Sequence, residues 1–175
     1  MNDLLTNGAE IKGRIISEMN NAKQCIYLAM AWFTDKDIAK AIIDSKNRNV
    51  AVEVILSSNA QNEGVKLMLK GAGINVHAFE TGDPRGMMHH KFCLIDNKIS
   101  INGSYNYSVN ASTNNVENIQ ISDEVAIYSQ FLSEFERLKY NIDHQISVNQ
   151  ITPLSETKGQ TTQPVNVIDS FSQRL

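Results

Sequence analysis

The chain has 175 residues, of which 42% are hydrophobic and 20% are charged, and 16 basic against 19 acidic residues give a net charge of −3. This length suits one domain with a substantial core, and the composition excludes wholly disordered and collagen-like chains. The mild acidity excludes a nucleic-acid binder of the basic-tail kind, so any phosphate contact must come from a local cluster. We expect Cys25 and Cys93 to be buried, reduced thiols rather than zinc ligands. We also expect no signal peptide and no membrane anchor, and therefore a cytoplasmic protein.

The first half of the chain alternates helical and strand patterns. In chain order the predicted elements are a helix around 11–19, a strand over 25–33, a helix over 34–46, a strand over 50–57, a helix over 61–73 and a strand over 74–79. This alternation predicts parallel strands with helices packed on the sheet. We interpret Trp32 and Phe33, at the end of the first of these strands, as core residues.

The second half combines short strands, polar loops and one long helix. Its predicted elements are a loop over 80–88, a hairpin of strands 91–96 and 98–103 with its turn at Asp96-Asn97, a polar loop over 108–115, a strand over 118–122 and a helix with an apolar face from Val125 to Leu138. The fold class is therefore α/β, with a mixed, largely parallel sheet flanked by helices on both faces. Residues 1–144 form this domain. Residues 145–175 are rich in Ser, Thr, Gln and Asn, and we interpret them as a tail that docks a partner or a neighbouring subunit.

The most informative stretch is HHKFCLID, followed shortly by GSYN. On an extended strand His89 and Lys91 share a face, and two cationic groups placed together are suited to holding an anion such as phosphate. Ser104 and Asn106 are again two residues apart, and they add a hydroxyl and an amide that bind phosphate oxygens. Imidazole also forms covalent intermediates, so His89 is a candidate nucleophile.

Three further residues belong to the candidate site. We expect Glu117 to accept a hydrogen bond from His89 and to fix its tautomer, with a surface carboxylate as the alternative. We count Asp96 with the catalytic set, although its position at a strand end favours anchoring the hairpin or pairing with a cation. Arg85, in the loop before the motif, is a candidate phosphate contact, with a solvated loop cation as the alternative.

The pattern H-x-K-x4-D followed by G-S-x-N resembles the HKD signature of the phospholipase D superfamily. All six fixed residues match, a coincidence expected on the order of once in a hundred million starting positions at ordinary composition. The resemblance covers about residues 8–142 and implies a phospholipase D-like α/β/α fold. It also implies a phosphodiesterase that needs no metal or other cofactor, in which His89 forms a phosphohistidine while Lys91 and Asn106 stabilise the transition state.

The chain has one copy of this motif, and single-copy members of the superfamily build one site across a homodimer. The resemblance therefore implies that His89 of one protomer attacks phosphorus and His89 of the other protonates the leaving oxygen, in a dimer or a higher oligomer. Our leading interpretation is a metal-independent endonuclease acting on DNA, or on RNA. One alternative is a phospholipase or cardiolipin hydrolase, with Met87 and Met88 lining an acyl channel. The other is a module controlled by a partner ATPase or recognition subunit in a bacterial antiviral defence complex.

Overall fold

The structure, a computed structural model, describes residues 1–146, so the predicted tail over 145–175 lies outside the described residues except for its first two. The strands are β1 (Asn2–Leu5), β2 (Cys25–Met30), β3 (Ala51–Ser57), β4 (Asn75–Phe79), β5 (Lys91–Ile95), β6 (Ile99–Gly103) and β7 (Ile119–Ser122). The helices are α1 (Gly8–Asn21), α2 (Lys36–Asn47), α3 (Glu63–Gly71), α4 (Val109–Thr113) and α5 (Val125–Asp143). No helix within residues 1–146 combines the length and the apolar character that crossing a membrane requires.

The seven strands form one mixed sheet in the order β1-β7-β6-β5-β2-β3-β4. The strands β2, β3 and β4 are parallel because α2 and α3 cross over between them, as predicted. The other four neighbouring pairs are antiparallel. The α/β class and the mixed sheet are therefore confirmed, but the prediction that parallel pairing predominates is wrong. After β4 the connections hold a loop, a hairpin turn and the short helix α4 instead of crossover helices, and parallel pairing needs crossovers.

Two short elements were not predicted. β1 is a four-residue edge strand that pairs with β7, and its Leu4 side chain is exposed. α4 lies inside the predicted polar loop, where the Ser108 hydroxyl caps it by accepting the N–H of Ala111 at 3.1 Å. Both elements are too short for a hydrophobic period to indicate them.

Helices cover both faces of the sheet, as predicted. α1, α2 and α3 pack on one face, and α5 packs on the other. β5 shows the alternation that this arrangement requires, since Phe92 and Leu94 pack toward α5 whereas Cys93 and Ile95 pack toward the other layer. Cys25 and Cys93 are both free and buried, as expected.

Several strand ends that carry motif residues meet at one end of the sheet, which we call the site edge. β2 ends where β5 begins, with Met30 opposite Lys91. β6 ends where β7 begins, with Gly103 opposite Ile119. Because β5 and β6 form an antiparallel hairpin, the start of β5 and the end of β6 lie side by side. The site edge therefore gathers residues that are far apart along the chain.

Candidate active site

His89 and Lys91 contact each other at the site edge. The Lys91 Nζ atom lies 3.1 Å from His89 Nε2 and 2.9 Å from the His89 carbonyl oxygen. An ammonium group only donates hydrogen bonds, so His89 Nε2 is the acceptor and the imidazole is neutral. The spacing of the two residues along an extended segment therefore produces a direct contact between their side chains.

The surroundings of this His89–Lys91 pair favour the neutral imidazole. Burial lowers the pKa of His89 below its ordinary value, and the charges of Lys91 and His90 lower it further. Burial also lowers the pKa of Lys91, whereas the carboxylate of Glu117 acts in the opposite direction. A neutral imidazole beside an ammonium group supplies a nucleophile and a positive charge in one place.

Trp32 borders the pair, which was not predicted. Its ring centroid lies 5.5 Å from that of His89 with the planes at 86°, and Lys91 Nζ lies 6.0 Å from the indole centroid. Trp32 is half-buried, whereas Phe33 is fully buried and packs against Tyr107. The interpretation of the two residues as core is therefore right for Phe33 and wrong for Trp32. The available signal was position, because Trp32 follows β2 at the end where β5 begins.

Glu117 holds Ser104 rather than His89. It is buried, and its carboxylate accepts hydrogen bonds from the Ser104 hydroxyl and, at 2.9 Å, from Asn115 Nδ2. The Ser104 oxygen also accepts the N–H of Asn118 at 3.1 Å, so this hydroxyl is engaged within the chain. The expected hydrogen bond between Glu117 and His89 is not formed within residues 1–146. Both carboxylate oxygens instead accept hydrogen bonds from the segment between β6 and β7.

Asn106 is fixed between two buried tyrosines, Tyr105 and Tyr107. The Tyr107 carbonyl oxygen accepts the N–H groups of Thr34 and Asp35 at 2.8 and 2.9 Å, which ties this segment to the chain after β2. The Asn106 Oδ1 atom is enclosed and accepts no hydrogen bond from the described residues. The group of this amide that can donate to a phosphate oxygen is therefore Nδ2, since Oδ1 only accepts hydrogen bonds and is enclosed.

Gly103 allows β6 and β7 to approach closely beside the site. A Cβ atom at this position would lie 2.2 Å from the Asn118 carbonyl oxygen and 2.8 Å from Ile119 Cα. The N–H of Ser104 donates to the same Asn118 oxygen at 3.0 Å. Only glycine fits here, so packing explains the glycine of the motif.

Asp96 lies at the opposite end of β5 from the His89–Lys91 pair. Its carboxylate accepts the backbone N–H groups of Lys23, Gln24 and Cys25 at 2.7 to 3.1 Å. Asp96 is five residue steps along the strand from Lys91, or ~17 Å at about 3.4 Å per step. The structure therefore does not bring Asp96 together with the other candidate catalytic residues. Asp96 anchors the hairpin, which is the role that its position at a strand end indicated.

Two basic residues close to the pair in sequence are held by carboxylates. Arg85 is exposed, and its guanidinium group donates to Asp83 at 2.9 and 3.1 Å. His90 Nε2 lies 2.8 Å from Glu134 of α5, and Glu134 also accepts hydrogen bonds from Arg137. The His90 side chain is 42% exposed and is directed to this carboxylate rather than to the His89–Lys91 pair. A phosphate contact by Arg85 stays a prediction.

Comparison with known proteins identifies relatives of the chain. Residues 15–139 match the family described as "Cardiolipin synthase, PLD-like domain". The chain is 32% identical over 136 residues to the mitochondrial cardiolipin hydrolase of Homo sapiens, an alignment that covers 77% of this chain and 53% of that protein. It is 31% identical over 133 residues to the phospholipase D of Rickettsia typhi, covering 74% and 64% respectively. The chain therefore spans about half to two thirds of the length of these relatives.

Two solved structures share the fold. NucT from Helicobacter pylori superposes with a TM-score of 0.72 at 24% identity, covering 80% of this chain and 96% of that one. Nuc from Salmonella typhimurium, described as a phospholipase D family member, gives 0.71 at 21% identity, covering 81% and 96%. At these identities the likeness shows the fold alone, which confirms the phospholipase D-like α/β architecture. The family match over residues 15–139 shows that the chain belongs to the phospholipase D superfamily.

Proposed function

We propose that this protein is a metal-independent phosphodiesterase that cleaves DNA or RNA through a phosphohistidine at His89. The observation that carries the proposal is the hydrogen bond from Lys91 Nζ to His89 Nε2 at 3.1 Å. This hydrogen bond requires a neutral imidazole, and it places a positive charge beside the nitrogen that would attack phosphorus.

The proposed chemistry uses the groups at the site edge. A bound phosphate takes over the hydrogen bonds of Lys91, which frees the lone pair of His89 Nε2. Nε2 then forms a bond to phosphorus while the bond from phosphorus to the leaving oxygen breaks, and a general acid protonates that oxygen. Water next cleaves the phosphorus–nitrogen bond and regenerates the imidazole. Lys91 and the amide of Asn106 stabilise the charge of the five-coordinate transition state.

The general acid in this proposal is His89 of a second copy of the chain. The neighbouring imidazole in the same chain, that of His90, is directed to Glu134 of α5. In a dimer with its site edges facing each other, the bound phosphodiester also takes over the hydrogen bond of the second copy's lysine, so Nε2 of the second His89 is free to take up a proton from solvent and to give it to the leaving oxygen. Mixed dimers of His89→Ala and Lys91→Ala chains should then stay inactive, since each shared site lacks one histidine. Recovery of activity in that mixture would show that one histidine is enough and would contradict the role of the second His89 as the general acid.

A cardiolipin or phospholipid hydrolase is the second candidate, because relatives at 31–32% identity carry those names. The surroundings of the motif favour it less. Met88, expected to line an acyl channel, is only 4% exposed and packs in the core beneath α5. Met87 borders a cavity of about 350 Å³ whose other lining residues include Ser57, Ser58, Glu80, Thr81 and Asp83. Acyl chains gain little from a lining of hydroxyl and carboxylate groups.

The test is cleavage of single- and double-stranded DNA and of RNA in excess EDTA, with wild type compared with His89→Ala. His144→Ala is the matched control, because His144 lies beyond the C-terminal end of α5 and contacts the Tyr140 carbonyl oxygen. We expect wild type and the control to cleave and His89→Ala to be inactive. Hydrolysis of cardiolipin vesicles without cleavage of any nucleic acid would replace this proposal with the second candidate.

A further inference from the structure

Trp32 is a large aromatic residue that stays partly exposed beside the His89–Lys91 pair. Its neighbours Ala31 and Phe33 are fully buried, so of three successive residues only the indole turns toward solvent at the site edge. Burial of a large aromatic side chain ordinarily stabilises a fold. Its incomplete burial here indicates a role outside the core.

The backbone around Trp32 is rigidly held. The N–H of Ala31 donates to the His90 carbonyl oxygen at 2.9 Å, and the N–H of Phe33 donates to Asn62 Oδ1 at 2.7 Å. Asn62 is itself buried and donates to the carbonyl oxygens of Ala31 and Ser57 at 2.9 and 2.8 Å. The indole is therefore presented from a fixed position rather than from a mobile loop.

We infer that Trp32 is a stacking platform for the nucleobase next to the phosphate that His89 attacks, and that it directs the protein to single-stranded nucleic acid. The inference rests on the proposed function. Base–aromatic stacking tolerates every base, since each has a π-face. In a duplex the bases are already stacked and paired, so an unpaired strand offers the indole a free base. The diacylglycerol groups of a phospholipid offer no aromatic face.

A purely positioning role for Trp32 is the competing explanation. The edge-to-face contact with His89 at 5.5 Å orients the imidazole whatever the substrate. Loss of that contact would slow the cleavage of every phosphodiester equally. Stacking acts only on substrates that carry bases, so substrates with and without bases separate the two roles.

The first experiment compares oligo(dT) with a strand of the same length made of abasic tetrahydrofuran phosphodiesters. We define the discrimination as kcat/KM for oligo(dT) divided by kcat/KM for the abasic strand. Wild type should discriminate by about 5- to 150-fold, Trp32→Leu should lose that discrimination, and Trp32→Phe should keep part of it. Tyr140→Leu is the matched control: it removes another exposed aromatic side chain, near the C-terminal end of α5, and should leave the discrimination unchanged.

The second experiment uses fluorescence, because Trp32 is the only tryptophan of the chain. In the His89→Ala background, which prevents turnover, oligo(dT) should quench the tryptophan emission as it binds. The abasic strand should bind with little quenching. Equal quenching by the two strands, or binding of oligo(dT) without quenching, would overturn the stacking role.

The outcomes separate this inference from the proposed function. If wild type in EDTA cleaves neither strand, the proposed function fails and the stacking role fails with it. If wild type cleaves both strands and Trp32→Leu keeps the wild-type discrimination, only the stacking role is overturned.

Discussion

Replacing Asp96 tests whether this motif residue supports the fold or the chemistry. Its carboxylate accepts the N–H groups of Lys23, Gln24 and Cys25 at 2.7 to 3.1 Å, which ties the hairpin turn to the start of β2. Asp96 and Asn97 have φ angles of 56° and 54°, in the left-handed region that Asn tolerates better than Ala. Asp96→Asn therefore keeps the turn and one acceptor oxygen, whereas Asp96→Ala removes both acceptor oxygens and strains the turn.

The expected losses of stability follow from the contacts of Asp96. The hydrogen bond from each of the three N–H groups contributes about 1 kcal/mol to the free energy of unfolding. The value is modest because these groups are partly exposed, so water can hydrogen-bond to them when the carboxylate is removed. Left-handed strain adds about 1 kcal/mol for Ala, so Asp96→Ala should lower the free energy of unfolding by about 4 kcal/mol. In a protein of this size that corresponds to a fall in Tm of about 8–16 °C. Asp96→Asn should cost about 1–2 kcal/mol.

Urea unfolding measures these losses, and kcat measured well below the Tm of each variant isolates the chemistry. We expect the folded variants to keep the wild-type kcat, because Asp96 lies at the other end of β5 from the candidate nucleophile. One result would refute the reasoning: an Asp96→Asn variant that is as stable as wild type but has a kcat lower by roughly a hundredfold or more. A loss of that size is typical of removing a catalytic acid or base.

Three titrations test the electrostatics around the site and along α5. Lys91→Met removes the positive charge beside His89, so the pKa of His89 should rise when followed by NMR; an unchanged pKa would contradict the coupling. Glu117→Gln removes the charge that raises the pKa of Lys91, so the alkaline limb of the pH–rate profile should move to lower pH, and a move to higher pH would count against it. Although burial raises the pKa of Glu134, hydrogen bonds from Arg137 and His90 lower it to about 2, below its ordinary value of 4.5. Ionised Glu134 therefore stabilises the fold above about pH 4.5, and this contribution is lost as the pH falls toward 2. The free energy of unfolding of Glu134→Gln, measured in urea, should depend less on pH across that range than that of wild type. An identical pH dependence of the two proteins would exclude this role.

Long periodic patterns made half of the fold predictable. The run from β2 to β4 alternates buried strands with amphipathic helices, and this alternation indicates both the element types and their parallel pairing. The hairpin was predictable from Asp96-Asn97, since both residues tolerate the left-handed conformation that they adopt. The contact between His89 and Lys91 was predictable because side chains two residues apart on an extended chain share a face.

The remaining features depend on contacts between distant segments. The local sequence pattern of β5 does not indicate that it pairs antiparallel with β2, so the proportion of parallel strand pairs was overestimated. The same pairing leaves Trp32 beside the motif instead of in the core. The partners of Glu117 are decided by the folding of the segment after β6, which places Ser104 and Asn115 against its carboxylate. A sequence indicates which residue types are present, but not which of them compete for one acceptor.

The electrostatics of the site edge are suited to holding an anion, although the chain has a net charge of −3. Burial disfavours the charged ammonium form of Lys91, and the negative charge of Glu117 partly offsets this effect. The Glu117 carboxylate itself is hydrogen-bonded to Ser104 and Asn115. Lys91 is left with hydrogen bonds to the ring and carbonyl oxygen of His89. An anionic phosphodiester satisfies this charge better than a neutral imidazole does. In the proposed mechanism, binding of the substrate and release of the nucleophile are therefore the same event.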